Sequence, residues 1–285
     1  MQSKPSYRSY NQDCILGMRD RIADGSVDLI FTDPPYGIDG ANLDVVYHRD
    51  EDPVVPGYID VPLSEYAQFS KDWIKECARV LRPGGSIYIV SGYTNLHHIL
   101  NALHATDLEE INHIIAQYSF GVSTKKKWVS SHYHVLFWTK PEKGSKKRTF
   151  NSNWKYVDQK DSYHDRLSVQ PLPRDYKPGQ IKNKNQLSET FIEKFIRYSS
   201  NPDDTVLDCF AGGYTTGRTA LRLGRKFIGF ELNKNAYDAF TPTLDTVELA
   251  PPVVPIAPDA VELAKREKMR AGWAKKRLER KQQLT

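Results

Sequence analysis

The sequence predicts an α/β fold: a parallel sheet with helices on both faces. Short apolar runs alternate with stretches of helical spacing, the order expected when the crossovers between parallel strands are helices. One run stops at a double proline, Asp33-Pro34-Pro35-Tyr36, and another opens into a glycine-rich turn, Cys209-Phe210-Ala211-Gly212-Gly213. With 285 residues, 39% of them hydrophobic, the chain can bury one substantial core without disulfide or metal support.

Val27-Asp28-Leu29-Ile30-Phe31-Thr32 reads as a buried strand, because two prolines cannot continue a central strand and must start a rigid loop. From Leu63 to Leu81, apolar residues at Tyr66, Phe69, Trp73, Ile74, Cys77, Val80 and Leu81 fall at helical spacing, and Arg82-Pro83-Gly84-Gly85 ends that helix. Ser86 to Ser91 follows as a strand. Asn95 to His104 reads as a helix, and His132 to Thr139 as a strand rich in β-branched and aromatic residues. Between Lys140 and Lys184 periodicity gives way to polar, aromatic and basic residues, an insert outside the core. Regularity returns with a helix from Ser188 to Tyr198, the strand Thr205 to Asp208, a helix near Thr216 to Leu223 and the strand Lys226 to Glu231, which together make a βαβ unit. A proline-rich link, Pro251 to Pro258, leads to a helical stretch from Asp259 to Gln283. The expected organisation is residues 1–139 and 188–250 as two halves of one domain, 140–187 as a basic insert, and 251–285 as link and tail.

Charge is segregated along the chain. Residues 1–120 hold 9 basic and 17 acidic residues, 121–185 hold 15 and 5, 186–258 hold 7 and 9, and 259–285 hold 9 and 4. A basic surface on an acidic body suits a polyanion, since Lys and Arg gain affinity by displacing counterions condensed on nucleic acid. On charge alone, a solvated loop and an exposed helix account for it equally well. Cys14, Cys77 and Cys209 are odd in number and dispersed, with no CxxC pair, so a disulfide scaffold and a zinc site are both excluded and a reducing compartment fits. No stretch approaches the roughly 20 apolar residues of a membrane span, and Met1 to Tyr10 lacks the apolar run of a signal peptide. The expected location is the cytoplasm, with no membrane partner and no metal.

A strand that ends in Asp208 and passes through glycines into a helix brings backbone close to a nucleotide-like ligand. Glu231, at the end of the next strand, stands where a carboxylate grips ribose hydroxyls in Rossmann-like sites. These features fit NAD, FAD or S-adenosylmethionine, and the lack of a full GxGxxG pattern counts against the dinucleotides.

Asp33-Pro34-Pro35-Tyr36, taken with the run from Asp208 through Gly213 to Tyr214-Thr215-Thr216-Gly217, resembles the amino-methyltransferases of DNA. The order, catalytic motif before cofactor motif, is that of the β group of the family. The similarity extends to Asp13-Cys14, Arg82 to Tyr88, His134 to Trp138, Ser199 to Pro202 and Leu223 to Glu231, and so covers roughly residues 10–140 and 188–240. It implies a Rossmann-like methyltransferase fold with S-adenosyl-L-methionine held by Phe210, Ala211, Gly212, Gly213, Thr215 and Glu231. Asp208 would lie near the cofactor's amino acid end and Asp13 would meet its adenine. Double-stranded DNA is the implied partner, with the target nucleotide flipped out of the duplex. Similar proteins are often homodimers, and many act beside a separate restriction endonuclease in a prokaryotic or phage-infected cell.

The residues suit that chemistry. An exocyclic base amine is a poor nucleophile because its lone pair is delocalised into the ring. Asp33 and the Pro34 carbonyl can accept its two N–H bonds, favouring a pyramidal nitrogen, while Pro34 and Pro35 stiffen the loop and Tyr36 offers a face for the flipped base. No covalent intermediate is needed, so the cysteines are expected in the core. Asp-Pro-Pro-Tyr is commoner among N6-adenine enzymes than among N4-cytosine enzymes, so adenine N6 is the expected target. Cytosine N4, RNA or protein amines, and a catalytically weak DNA-binding relative are the alternatives.

Two departures from the family stand out: Tyr214 replaces a third glycine in the loop that the cofactor approaches, and Leu187-Ser188 replaces a Lys-Pro pair, leaving Gln186 or Thr190 to take up contacts. A bulky side chain at 214 is expected to rearrange the loop or weaken cofactor binding. Target selection in the β group falls to the region after the strand ending in Trp138, here the insert with Trp154, Tyr156, Tyr163, Arg166, Arg174 and Tyr176. Candidate nucleic-acid contacts are Lys125, Lys126, Lys127, Lys146, Lys147, Arg148, Arg166 and Arg174, with the tail from Lys265 to Lys281 tracking the backbone.

Overall fold

The computed structural model describes residues 6–38, 55–57, 59–119, 125–156, 163–173 and 186–256, together with 267–269, 272 and 277. Arg174, Tyr176 and most of the basic tail lie outside the described residues. The elements in chain order are β1 (Tyr7–Tyr10), α1 (Cys14–Arg21), β2 (Val27–Thr32), α2 (Leu63–Val80), β3 (Leu81–Ser91), α3 (Leu96–His104), β4 (Glu109–Gln117), β5 (His132–Thr139), β6 (Val169–Pro171), α4 (Glu189–Ser199), β7 (Thr205–Asp208), α5 (Thr215–Arg222), β8 (Lys226–Phe230) and α6 (Lys234–Phe240).

The sheet has eight strands in the order β1-β8-β7-β2-β3-β5-β4-β6. All neighbours are parallel except at β5, which runs against both β3 and β4. Both faces are buried. On one, Ile30, Ile87, Leu136 and Trp138 pack with Trp73, Ile74 and Cys77 of α2 and Ile99 and Leu103 of α3. On the other, Leu29, Phe31, Tyr88, Val135 and Phe137 pack with Phe191, Phe195 and Ile196 of α4 and Ala220 and Leu221 of α5. Alternate residues of one strand thus serve opposite layers, which is why the strands read as continuous apolar runs.

Several expectations need correction. Arg82-Pro83-Gly84-Gly85 does not separate helix from strand: α2 already ends at Val80, and the four residues bulge within β3, whose pairing jumps from Leu81 opposite Val27 to Ser86 opposite Leu29. Gly84 is required there, because it sits at φ +71° and a Cβ would fall 2.6 Å from the backbone of Lys147. The insert is not wholly outside the core. Val169–Pro171 pairs with β4 and buries Gln170, which accepts from Lys194 Nζ at 2.6 Å. Residues up to Asn151 also belong to the main unit, with Phe150 stacked on Tyr198 at 5.2 Å. The second compact unit comprises Ser152–Leu167 and the chain from Pro252 onward, where Ile256 N–H donates to the Lys155 carbonyl at 2.8 Å. The units thus divide the chain after Asn151, Leu167 and Pro251.

Candidate active site

In an open α/β sheet, ligands bind beyond the carboxyl ends of the strands where the connections change direction. Here that point lies between β2, whose chain continues toward β3, and β7, whose chain continues through α5 toward β8. The Thr32 hydroxyl at the end of β2 donates to Asp208 Oδ1 at the end of β7, at 2.8 Å. This bond, between residues 176 apart in sequence, ties together the strands that lead into the two motifs, and one cleft includes Asp13, Asp33, Pro34, Pro35, Tyr36, Asp208, Phe210, Ala211, Gly212, Gly213, Thr215 and Glu231 in its lining. All twelve catalytic and cofactor residues expected from the sequence converge there.

Each is positioned by its local chain. Asp13 caps α1, accepting from Leu16 N–H at 3.0 Å. The turn after β7 is held by Phe210 N–H on Asp208 Oδ1 at 3.1 Å and by Gly212 N–H on Glu231 Oε2 at 2.6 Å. The other oxygen of Glu231 accepts from Asn233 N–H at 2.7 Å. The Phe210 ring stands edge-on to Trp73 at 5.3 Å. In the double-proline loop, the Tyr36 hydroxyl donates to Asp33 Oδ1 at 2.8 Å, and the Tyr36 ring neighbours Tyr133, which neighbours Tyr118.

The electrostatics are those of an acidic, poorly solvated cleft. Burial pushes Asp33 up to about 7, against the opposing Tyr36 hydrogen bond, and nearby Asp208 raises it further. Burial also raises Asp208, to about 6, despite its Thr32 bond, and it raises Glu231. Asp13, Asp33, Asp208 and Glu231 line the cleft, and no Lys, Arg or His does so among the described residues. That set of acceptors suits a cation bearing hydroxyls and an aromatic base, and it is a poor match for a dinucleotide pyrophosphate.

Tyr214 does not obstruct this cleft. It takes the left-handed conformation, φ 57° and ψ 27°, so its backbone follows the path a glycine would, at a cost of about 1 kcal/mol. Its side chain is fully buried in the core and does not line the cleft; its hydroxyl hydrogen-bonds Ser9 Oγ of β1 at 2.7 Å and its ring meets Phe227 edge-on. Of the two residues expected to take up the contacts of the missing Lys-Pro pair, Gln186 lines the cleft together with Leu187, whereas Thr190 is bonded to Ser188 at 2.8 Å. Ile59, Val61, Phe69, Leu232 and Asn233 also line it, and carry no motif that would have marked them. The dispersed cysteines come together in the core, Cys77 Sγ and Cys209 Sγ lying 3.5 Å apart.

The basic candidates separate. Lys125, Lys126 and Lys127 are exposed in the β4–β5 connection, at the sheet end where β3 finishes, because Ser91 pairs with His134. This is also the end at which Asp33 follows β2. Trp128, beside them, is 96% exposed and carries no sequence signal, because a single aromatic in a polar stretch has no period. Lys146, Lys147 and Arg148 lie at the other end, against the Gly84 bulge where β3 begins. Lys147 pairs with Glu142 at 2.9 Å and Arg148 stands over the Phe137 ring. Arg166 belongs to the second unit.

A Rossmann-like sheet with an acidic cleft at its switch point and a proline-rich loop on the cleft's wall defines a class of methyl-transferring enzyme. Residues 27–242 match the N6_N4_Mtase family, described as DNA methylase, and the chain belongs to that family. It is 33% identical over 280 residues to the DNA adenine methyltransferase YhdJ of Escherichia coli K12, covering 90% of this chain and 86% of the relative. It is 30% identical over 247 residues to the type II methyltransferase M.BamHI of Bacillus amyloliquefaciens, where the match covers 78% of this chain but only 54% of that longer protein. Among solved structures, the putative DNA modification methylase TTHA0409 of Thermus thermophilus, complexed with S-adenosyl-L-methionine, superposes with a TM-score of 0.62 at 20% identity, over 89% of this chain and all of that one.

Proposed function

We propose that the protein methylates the N6 amine of adenine in double-stranded DNA, using S-adenosyl-L-methionine bound in the acidic cleft. The observation that carries this reading is the Thr32–Asp208 bond, which sets the double-proline loop on the wall of the cofactor cleft. The naming of YhdJ as a DNA adenine methyltransferase favours adenine.

When bound, the cofactor supplies an activated methyl on a cationic sulfur. Glu231 and Asp13 would hold its hydroxyls and adenine, Phe210 would pack on the adenine, and the glycines would admit it to the backbone. The free oxygen of the Asp33 carboxylate and the Pro34 carbonyl accept the two N–H bonds of the target amine, which directs its lone pair toward the methyl. Tyr36 stacks on the extruded base. As the nitrogen gains the methyl it loses one proton, and Asp33 is the nearest group to receive it. Lys125–Lys127 and Trp128 face the nucleic acid on the catalytic side. Such a protein works where the cell's DNA lies, in the cytoplasm of a prokaryotic cell. A homodimer, or a partner endonuclease acting as a separate protein, is compatible with this reading.

Incubation with labelled cofactor and duplex DNA, RNA or protein, followed by mass spectrometry of the nucleosides, tests the reading. N6-methyladenine from DNA is the expected product. N4-methylcytosine would correct the base, incorporation into RNA or protein alone would overturn the substrate, and full activity of Asp33→Ala would overturn the mechanism.

A further inference from the structure

The double-proline loop belongs to no helix or strand, yet its backbone is held by side chains from three places. Tyr66 of α2 donates its hydroxyl to the Pro35 carbonyl at 2.9 Å. Asn95, buried just before α3, donates from Nδ2 to the Tyr36 carbonyl at 2.7 Å and to the Gly37 carbonyl at 3.1 Å. Asp60 accepts from Gly37 N–H at 2.8 Å on Oδ1 and from Ile38 N–H at 3.0 Å on Oδ2. Gly37 lies at φ +63°, and a Cβ there would fall 2.5 Å from Tyr66 Cδ2 and 3.0 Å from Asn95 Nδ2. The bare backbone is therefore pressed against two of the three.

Prolines at 34 and 35 fix φ and hold the residue before each in extended ψ, so they stiffen the loop without tying it to the rest of the fold. The three side chains supply the remaining constraints, one group of backbone atoms each. They claim the carbonyls of Pro35, Tyr36 and Gly37, while the Pro34 carbonyl accepts no hydrogen bond among the described residues. The carbonyl left open is the one the target amine needs. Asp60 also ties the loop to the cofactor half: its neighbours Ile59 and Val61 line the cleft, and Pro56, four residues earlier, accepts from Asn233 Nδ2 at 3.1 Å.

We propose that Tyr66, Asn95 and Asp60 are positioning residues that clamp the catalytic loop so that Asp33 and the Pro34 carbonyl face the target amine together. The inference rests on the methyltransferase reading of the site. Reaction geometry tolerates little displacement, and misplacement by about 1 Å can cost on the order of a hundredfold in rate. A clamp with only a folding role would affect stability without singling out the chemical step.

The test compares wild type with Tyr66→Phe, Asp60→Asn and Asp60→Ala in the full chain. Single-turnover methyl transfer to unmethylated genomic DNA, calorimetric binding of S-adenosyl-L-methionine, and amide hydrogen exchange at Gly37 and Ile38 are measured together. Asp60→Ala is expected to slow methyl transfer about tenfold or more while cofactor affinity stays within about twofold. Gly37 and Ile38 amides should exchange faster in that variant. Asp60→Asn, which keeps one acceptor, and Tyr66→Phe, which loses the bond to the Pro35 carbonyl, should slow transfer less. Unchanged rates in an active background would overturn the clamp alone, as would parallel losses of rate, affinity and melting temperature. A wild type that methylates no DNA would remove the reading of the site and the clamp with it.

Discussion

The Tyr36 hydroxyl donates to Asp33 Oδ1 at 2.8 Å across a loop of two prolines, so the residue that would stack on a base also controls the charge of the residue that would accept its proton. Burial raises Asp33 to about 7 and this hydrogen bond holds it down. Asp33 is the stronger acceptor when ionised and can take up the released proton only in that form, so the single-turnover rate should climb with pH through about 7. Tyr36→Phe keeps the ring and removes the donor, and the rising limb should then move to higher pH. A profile that stays put in Tyr36→Phe, or falls as pH rises through neutrality, would contradict the role given to Asp33.

The same carboxyl has a cost in stability. Its folded pKa is raised above the ordinary 3.8, so between about pH 4 and 7 the folded state binds the proton that the unfolded state has released, and stability falls as pH rises through this window. Asp33→Asn cannot ionise and should be more stable than wild type at about pH 8, on the order of 1–3 kcal/mol, the gap closing toward about pH 4. Denaturant unfolding at several pH values measures it. Methyl transfer in this variant should fall at every pH.

For Tyr214 the expectation is separation of stability from binding. Tyr214→Phe removes the hydroxyl that meets Ser9 at 2.7 Å and should cost about 1 kcal/mol of stability, because it disconnects the cofactor turn from β1. The side chain is buried in the core and does not line the cleft, so calorimetry should find cofactor affinity unchanged. A large loss of affinity with no loss of stability would place the ring in the cleft after all.

The two basic clusters should behave differently. Replacing Lys125, Lys126 and Lys127 by Ala should weaken DNA binding and flatten its salt dependence, by about 0.9 in log–log slope for each phosphate no longer neutralised. Trp128→Ala, removing a side chain 96% exposed beside them, should cost about 1–3 kcal/mol of binding if the ring stacks on a base. Alanines at Lys146 and Lys147 should change neither, since these residues lie where β3 begins, against Gly84. Fluorescence anisotropy over a salt series discriminates the two sets.

What could be read from the chain follows from the range of the signal. Val27–Thr32, His132–Thr139 and Thr205–Asp208 appear at the expected bounds because each is an apolar run closed by proline, glycine or charge, information held within a few residues. The edge strand Tyr7–Tyr10 has two polar residues in four, and Glu109–Gln117 is largely exposed, so neither shows an apolar run and neither is legible in the sequence. Both motifs of the site were legible for the same local reason, since double prolines and paired glycines restrict or free the backbone where they stand.

The sequence by itself determined the alternation of strand and helix, the rigid double-proline loop and the glycine-rich turn, and the basic character of the middle of the chain. Tertiary structure alone decided that Thr32 meets Asp208, that the Tyr214 side chain stays out of the cleft, that Tyr66, Asn95 and Asp60 grip the double-proline loop, and that two lysine clusters lie at opposite ends of one sheet. The physical reason is that these depend on strand order and register, set by burying both faces of the sheet at once, a condition that joins residues too distant in sequence for local pattern to record.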